Sequence, residues 1–405
     1  MPQTIAVLVS IVIIAIAAAA VYTLHVFGGP AGEGTVGAGS QTANHIAQSG
    51  QPSTTIMHGS SATTIRSNAS NQQALFSSPG YLYVTNYNGT TVSIINTSTY
   101  KVVANVSVGD SPVGVAVTPD GRYAYVAVSG SSNQQDFQNS VAVIDSGSLR
   151  VVKNVSVNGH PTGLAISPDG SYVYVALSGT GNLDAINTTT NQVEFTIRVG
   201  TGPNCVAVTS DGRYAYVGNY GSNDTSVVDL TSRKVVATVS LEGHAGGAAI
   251  TPDGKSAYVT TSIGKAISII NTSTMKLEST IPEGTNTAAI SFSPDGAYAY
   301  VANYGKGTLG VIDTATGSFV KNVTVGAFPN GISVSPDGKY IYVTVVSLTK
   351  NTQQAKQQQS GTGSPPGSEN PGYVVVLDSS TYSVVAQIEA GKFPFSDAVG
   401  EANSV

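Results

Sequence analysis

The sequence predicts an all-β fold, a seven-bladed β-propeller of four-stranded blades, preceded by one N-terminal transmembrane helix and a flexible stalk. Three observations carry the propeller. A phrase reading Ser-Pro-Asp-Gly-Ala-Tyr-Ala-Tyr-Val-Ala-Asn-Tyr over residues 293–304 returns, with small edits, along most of the chain. Its turn recurs at Pro168, Ser210, Pro252, Pro294 and Pro336 with a constant spacing of 42 residues, and earlier copies stand at Pro79 and Pro119. Between turns the pattern alternates with a period of two, in four short runs per repeat, and no helical period competes with it. A period near 40 residues built from four strands is the arithmetic of a propeller blade.

The chain begins differently. Residues 5–27 carry no charge, and about 23 residues at roughly 1.5 Å each reach about 35 Å, enough to cross a bilayer core. A cleaved signal segment is the alternative. It would have a basic n-region and an apolar run of about 7–15 residues, whereas here no Lys or Arg precedes the run. Residues 1–27 are therefore expected to form a membrane anchor. Residues 28–72 are rich in Gly, Ser, Thr, Ala and Gln, and bury too little apolar surface to offset their ordering entropy. They are expected to form a stalk, with the propeller over 73–400.

Within the repeats each run has a reason. In the unit at Asn204, Cys205–Thr209 reads as the inner strand A, Tyr214–Val217 as B, Thr225–Asp229 as C and Val235–Leu241 as the outer strand D. The A-to-B turn is Pro-Asp-Gly in most copies: Pro presets φ, Asp bonds its own backbone, and Gly accepts positive φ. The C-to-D turn opens on an Asx residue in every copy: Asn96, Asp145, Asn187, Asp229, Asn271, Asp313 and Asp378. Ring closure needs a strand from the far end, since open termini leave unpaired edges. Residues 393–399 match strand A of the other units and are expected to join Tyr81–Asn86. Two insertions, 130–139 and 347–372, fall in B-to-C loops.

The runs Tyr83-Val84-Thr85-Asn86, Tyr216-Val217-Gly218-Asn219 and Tyr300-Val301-Ala302-Asn303, each downstream of such a turn, resemble the YVTN repeat. The resemblance covers roughly residues 74–400. It implies a seven-bladed propeller of the kind found in archaeal surface-layer and other exported proteins, and it names no shared catalytic residue. Ala127-Val128-Ser129 and Ala176-Leu177-Ser178 depart from the pattern.

Composition bounds the chemistry. Charged residues make up 10% of the chain and the net charge is −5. A nucleic-acid surface would need a basic face, so that class is excluded. The one cysteine, Cys205, excludes an intramolecular disulfide and reads as a buried core residue. Eight residues before each turn, in the D-to-A loops, stand Ser111, His160, Gly202, His244, Asn286, Phe328 and Phe393. His160 and His244, with Asn204, Asn286 and Asn330, predict a polar ligand-binding ring at the channel mouth; the competing reading is hydrogen-bonded loop residues. Only Asp110 and Glu242 lie nearby, so no metal centre, cofactor or catalytic group is expected. Asn-X-Ser/Thr sequons at Asn68, Asn88, Asn96, Asn105, Asn154, Asn187, Asn223, Asn271 and Asn322 predict an N-glycosylated exterior. The functional expectation is a membrane-anchored extracellular propeller in an envelope layer or in adhesion to a protein or glycan. An exported enzyme of lactonase or dehydrogenase type, or a metal or ligand sensor, is the alternative.

Overall fold

The computed structural model describes residues 80–130, 139–262, 266–283, 286–347 and 370–400. The expected anchor and stalk, the sequon at Asn68, and most of the two insertions lie outside these ranges. No helix among the described residues is long and apolar enough to cross a membrane.

The described chain is 28 strands in seven antiparallel sheets of four. Six sheets run A-B-C-D in chain order. The exception is the first blade, whose inner strand is the last of the chain: Pro394–Gly400 pairs with Tyr81–Asn86, placing Leu82 opposite Val399 and Tyr83 opposite Ala398. The expected closure is therefore present. The unit at Asn204 is typical, with strands Pro203–Val208, Tyr214–Asn219, Asp224–Asp229 and Lys234–Ser240.

Strands B and C are buried on both faces because each blade packs between two neighbours. Strand D meets solvent, and its alternation is visible in the pattern exposed-then-half-buried. The inner tyrosine of strand B in each blade (Tyr83, Tyr125, Tyr174, Tyr216, Tyr258, Tyr300 and Tyr342) is buried at the joint between blades. In the first, second and fourth blades its hydroxyl reaches the next blade's C-to-D turn: Tyr83 donates to Ser146 Oγ at 2.7 Å, Tyr125 to Asn191 Oδ1 at 2.8 Å and Tyr216 to Thr272 O at 3.4 Å. Burial pushes the phenols of Tyr83, Tyr125, Tyr174 and Tyr216 up to about 12.

The remaining motif residues are equally structural. Asn86, Asn219 and Asn303 are fully buried, and each amide donates to strand C: Asn219 Nδ2 to Asp224 Oδ1 at 2.6 Å and to Ser226 Oγ at 2.9 Å. In the A-to-B turns a Ser or Thr hydroxyl donates to the Asp two residues on, as from Ser293 to Asp295 at 2.5 Å, and the same carboxylate accepts the Ala297 amide at 3.0 Å. These bonds, the hydroxyl's first, hold the Asp295 carboxyl below its usual range. Gly296 has φ 72°, and an added Cβ would lie 3.3 Å from the Pro252 ring of the preceding blade's turn. Successive turns are thus in contact around one face.

Candidate functional site

The seven inner strands meet around the axis and leave a cavity of about 130 Å³. Each blade supplies one residue at the same register: Val113, Thr162, Asn204, Gly246, Ala288, Asn330 and Phe395. The next residue is Gly114, Gly163, Gly247 and Gly331 in four blades, and the reason is close approach. A Cβ at Gly114 would lie 2.4 Å from Thr162 O, and one at Gly163 2.6 Å from Asn204 O.

Side-chain to backbone bonds tie the blades together at this level. Thr85 Oγ1 donates to Val113 O at 2.7 Å, Ser129 Oγ to Pro161 O at 2.6 Å, and Thr162 Oγ1 to Pro203 O at 3.1 Å. Asn204 Nδ2 donates to Gly246 O at 2.8 Å and Thr260 Oγ1 to Ala288 O at 2.9 Å. The threonine of the YVTN-like run, at Thr85 and Thr260, is accordingly a joint between blades. Asn330 differs from these. Its Nδ2 donates to Phe328 O at 3.1 Å, while Oδ1 is buried without a hydrogen-bond partner, on a residue 3% exposed.

No titratable side chain lines the cavity. Its rim is aromatic across the sixth, seventh and first blades. Tyr304, Val346 and Phe393 form a buried cluster against which Tyr87, Ala288, Phe328 and Phe395 pack. Phe395 stands 5.7 Å from Tyr87 and 6.3 Å from Phe393 between ring centroids, and Tyr304 stands 4.9 Å from Phe328.

Of the five residues expected at the mouth, Asn204 and Asn330 are in the cavity wall, whereas His160, His244 and Asn286 are not. Each histidine instead binds the preceding blade. Nδ1 of His244 lies 2.7 Å from Tyr220 O, and a carbonyl only accepts, so Nδ1 carries the proton; the ring also stacks on Tyr220 at 4.4 Å. Nδ1 of His160 lies 3.4 Å from Ser129 O. The hydrogen-bonded loop reading describes both. Asn286 offers its carbonyl to Gly305 N at 3.5 Å. The wall itself was missed because its position lies two residues downstream of the histidine column. The signal was present in Pro112-Val113-Gly114, Pro161-Thr162-Gly163 and Pro329-Asn330-Gly331.

Two carboxyls are raised by burial, and neither lines the cavity. Asp184, in a strand C, accepts from Thr196 Oγ1 at 2.6 Å. Asp397, in the closing strand, is pushed up to about 7; its Oδ2 accepts from Ser333 Oγ at 2.5 Å and its Oδ1 has no hydrogen-bond partner. Cys205 is buried as expected, its thiol raised to about 12 by desolvation.

The described sequon asparagines divide by chemistry. In the turns at Asn96, Asn187 and Asn271, Oδ1 accepts the amides two and three residues on, at 2.9 to 3.2 Å. Asp378 does the same at 3.0 and 2.8 Å, so the turn needs an Asx oxygen and not an amide. Asn105, Asn154 and Asn322 are exposed on strand D, with Asn105 Oδ1 accepting from Ser93 Oγ at 2.8 Å. Asn88 is half-buried and Asn223 exposed, both in B-to-C loops.

Solved structures share the ring. Hydrazine synthase from Kuenenia stuttgartiensis is 26% identical, over 65% of this chain and 89% of its own, with a TM-score of 0.59. A functionally unknown protein from Desulfotomaculum acetoxidans is 17% identical over 80% of this chain and 100% of its own, at a TM-score of 0.63. The dihydro-heme d1 dehydrogenase NirN is 17% identical over 82% of this chain and 77% of its own, at 0.56. The last two likenesses are of fold alone. No curated protein sequence matches the chain. The profile of the YNCE-like β-propellers matches residues 133–339, just over half of the chain, and with its blades and turns accounted for the protein belongs to that family.

Proposed function

We propose that the chain is a non-catalytic binding protein of the cell exterior. Residues 5–27 hold it in the membrane as a single span, residues 28–72 act as a tether, and the propeller outside contacts an envelope protein or glycan, as in YVTN-type surface-layer proteins. The observation that carries the non-catalytic reading is the axial cavity: seven blades contribute its wall and none contributes an acid or a base, so the hydroxyls of Thr162 and Ser396 have no base in the wall to activate them. The two carboxyls with raised pKa values are inside the sheets, and both histidines bind backbone carbonyls of the adjoining blade. The enzymatic alternative rests on the names of two structural neighbours, and a shared propeller does not transfer an activity.

Sugars on Asn105, Asn154 and Asn322 would shield outer strands, which also expose Val103, Val152 and Val320. Those three asparagines are the favoured acceptors, because the turn sequons at Asn96, Asn187 and Asn271 already follow from turn chemistry.

The test is a pull-down from native envelopes with the full chain and with a variant lacking residues 347–372. A partner retained by the full chain supports the reading, and its loss in the variant assigns the contact to that loop. Absence of any partner, or recovery of the native chain wholly in the soluble fraction, overturns it. Intact mass checks the sugars: a native mass equal to the bare polypeptide removes them.

A further inference from the structure

We infer that the axial cavity is a subsite for one neutral sugar ring. The inference rests on the binding-protein reading above and names what the propeller holds. The size of the space sets the first limit. At roughly 10–15 Å³ per water position, a cavity of about 130 Å³ takes on the order of ten waters, the bulk of a single small ring. Ligand pockets for larger molecules run to about 300–1,000 Å³, so the space takes one ring and does not enclose a whole dinucleotide or tetrapyrrole.

Charge sets the second limit. A wall without an ionisable group gives an ionic ligand no counter-charge for its lost hydration, and the occupant is neutral.

The occupant also needs a hydroxyl. Asn330 Oδ1 is buried in the wall without a partner, and an unpaired buried acceptor costs about 1–3 kcal/mol. Of the wall's other polar side chains, Asn204 and Thr162 already donate to backbone carbonyls, and Ser396 adds a hydroxyl. A ligand donor is what Asn330 lacks.

The wall positions on either side of Asn330 are apolar. Phe395, from the first blade, and Ala288, from the sixth, belong both to the wall and to the aromatic cluster. An aromatic face carries negative charge, and the axial C–H bonds of a sugar ring present its complement. One hydroxyl donating to Asn330 with the C–H face on Phe395 satisfies both. The tyrosine and phenylalanine rings at the rim, Tyr87 and Phe328, extend the same kind of surface outward for a second residue of a longer glycan.

The test is saturation-transfer NMR on the full chain in detergent with glucose, galactose, mannose and N-acetylglucosamine as probes, and glucuronic acid and phenol for comparison. At least one neutral sugar is expected to show transfer, above that of glucuronic acid. Asn330→Leu removes the acceptor, and Ala288→Leu fills the cavity without deleting a hydrogen bond. Each is expected to weaken the sugar at least ten-fold, and Ala288→Leu decides the matter if Asn330→Leu does not fold. Silence from all four sugars, transfer unchanged by Ala288→Leu, or binding of phenol alone overturns the assignment. An envelope partner retained while the sugars are silent overturns the subsite and leaves the binding-protein reading standing. Sugar binding without any envelope partner does the reverse.

Discussion

Asn219 and Asn303 show how a repeated residue can look like a signature of function and be a fastener. Each is fully buried at the end of a strand B, and its Nδ2 donates to strand C. Asp397 is the opposite case, a residue that departs from its column. The matching positions in other blades are Val115, Leu164, Val206, Ala248, Ile290 and Ile332. A carboxyl there, with one oxygen on Ser333 and the other unpartnered, is stable only while protonated. Its folded pKa of about 7 exceeds the ordinary 3.8, so its contribution is intact below pH 4 and is lost as pH rises to 7. At 1.36 kcal/mol per unit the loss is a few kcal/mol. Asp397→Asn is expected to keep the Ser333 bond and abolish that slope. Melting temperatures between pH 4.5 and 8 check this, and parallel profiles for the two proteins would refute it.

The strands and turns were legible in the sequence because their determinants are local. Pro-Asp-Gly specifies its turn through φ and one carboxylate, and an Asx residue specifies the outer hairpin through its own side-chain oxygen. The alternation of strand D gave the exposed face. The cavity was legible only at Asn204 and Asn330, since Val113, Thr162, Gly246 and Phe395 share no chemistry and are related only by register around an axis. The histidines drew attention as titratable residues in equivalent loops, but what they bind is a carbonyl in another blade, which no local pattern encodes. The turns also pack, and this is measurable. Gly296 and Gly317 both have positive φ, but an added Cβ meets Pro252 at the first and nothing within 4 Å at the second. Gly317→Ala is expected to cost about 1 kcal/mol for the left-handed conformation alone. Gly296→Ala is expected to cost more, and the difference in urea-denaturation midpoints measures the contact between turns.

The described strands form a ring whose last strand completes its first blade. Truncation after Phe393 removes Pro394–Gly400, bares the inner edge of Tyr81–Asn86, and takes away the acceptor of Ser333. Self-association and loss of a single cooperative transition are expected, because an uncovered strand edge pairs with other chains. Gel filtration and limited proteolysis check it; a monomer melting within a few degrees of the full chain would contradict it. The outer turns set a different kind of freedom around the same ring. Each requires a side-chain oxygen, which the chain supplies as asparagine at 96, 187 and 271 and as aspartate at 145, 229, 313 and 378. Codons for the two residues differ by a single base. At 229 and 378, where Thr231 and Ser380 stand two residues on, one such mutation creates an Asn-X-Ser/Thr sequon, and at 96, 187 and 271 it removes one while the turn keeps its oxygen, so the set of sequons is free to drift between generations under a scaffold that does not register the change.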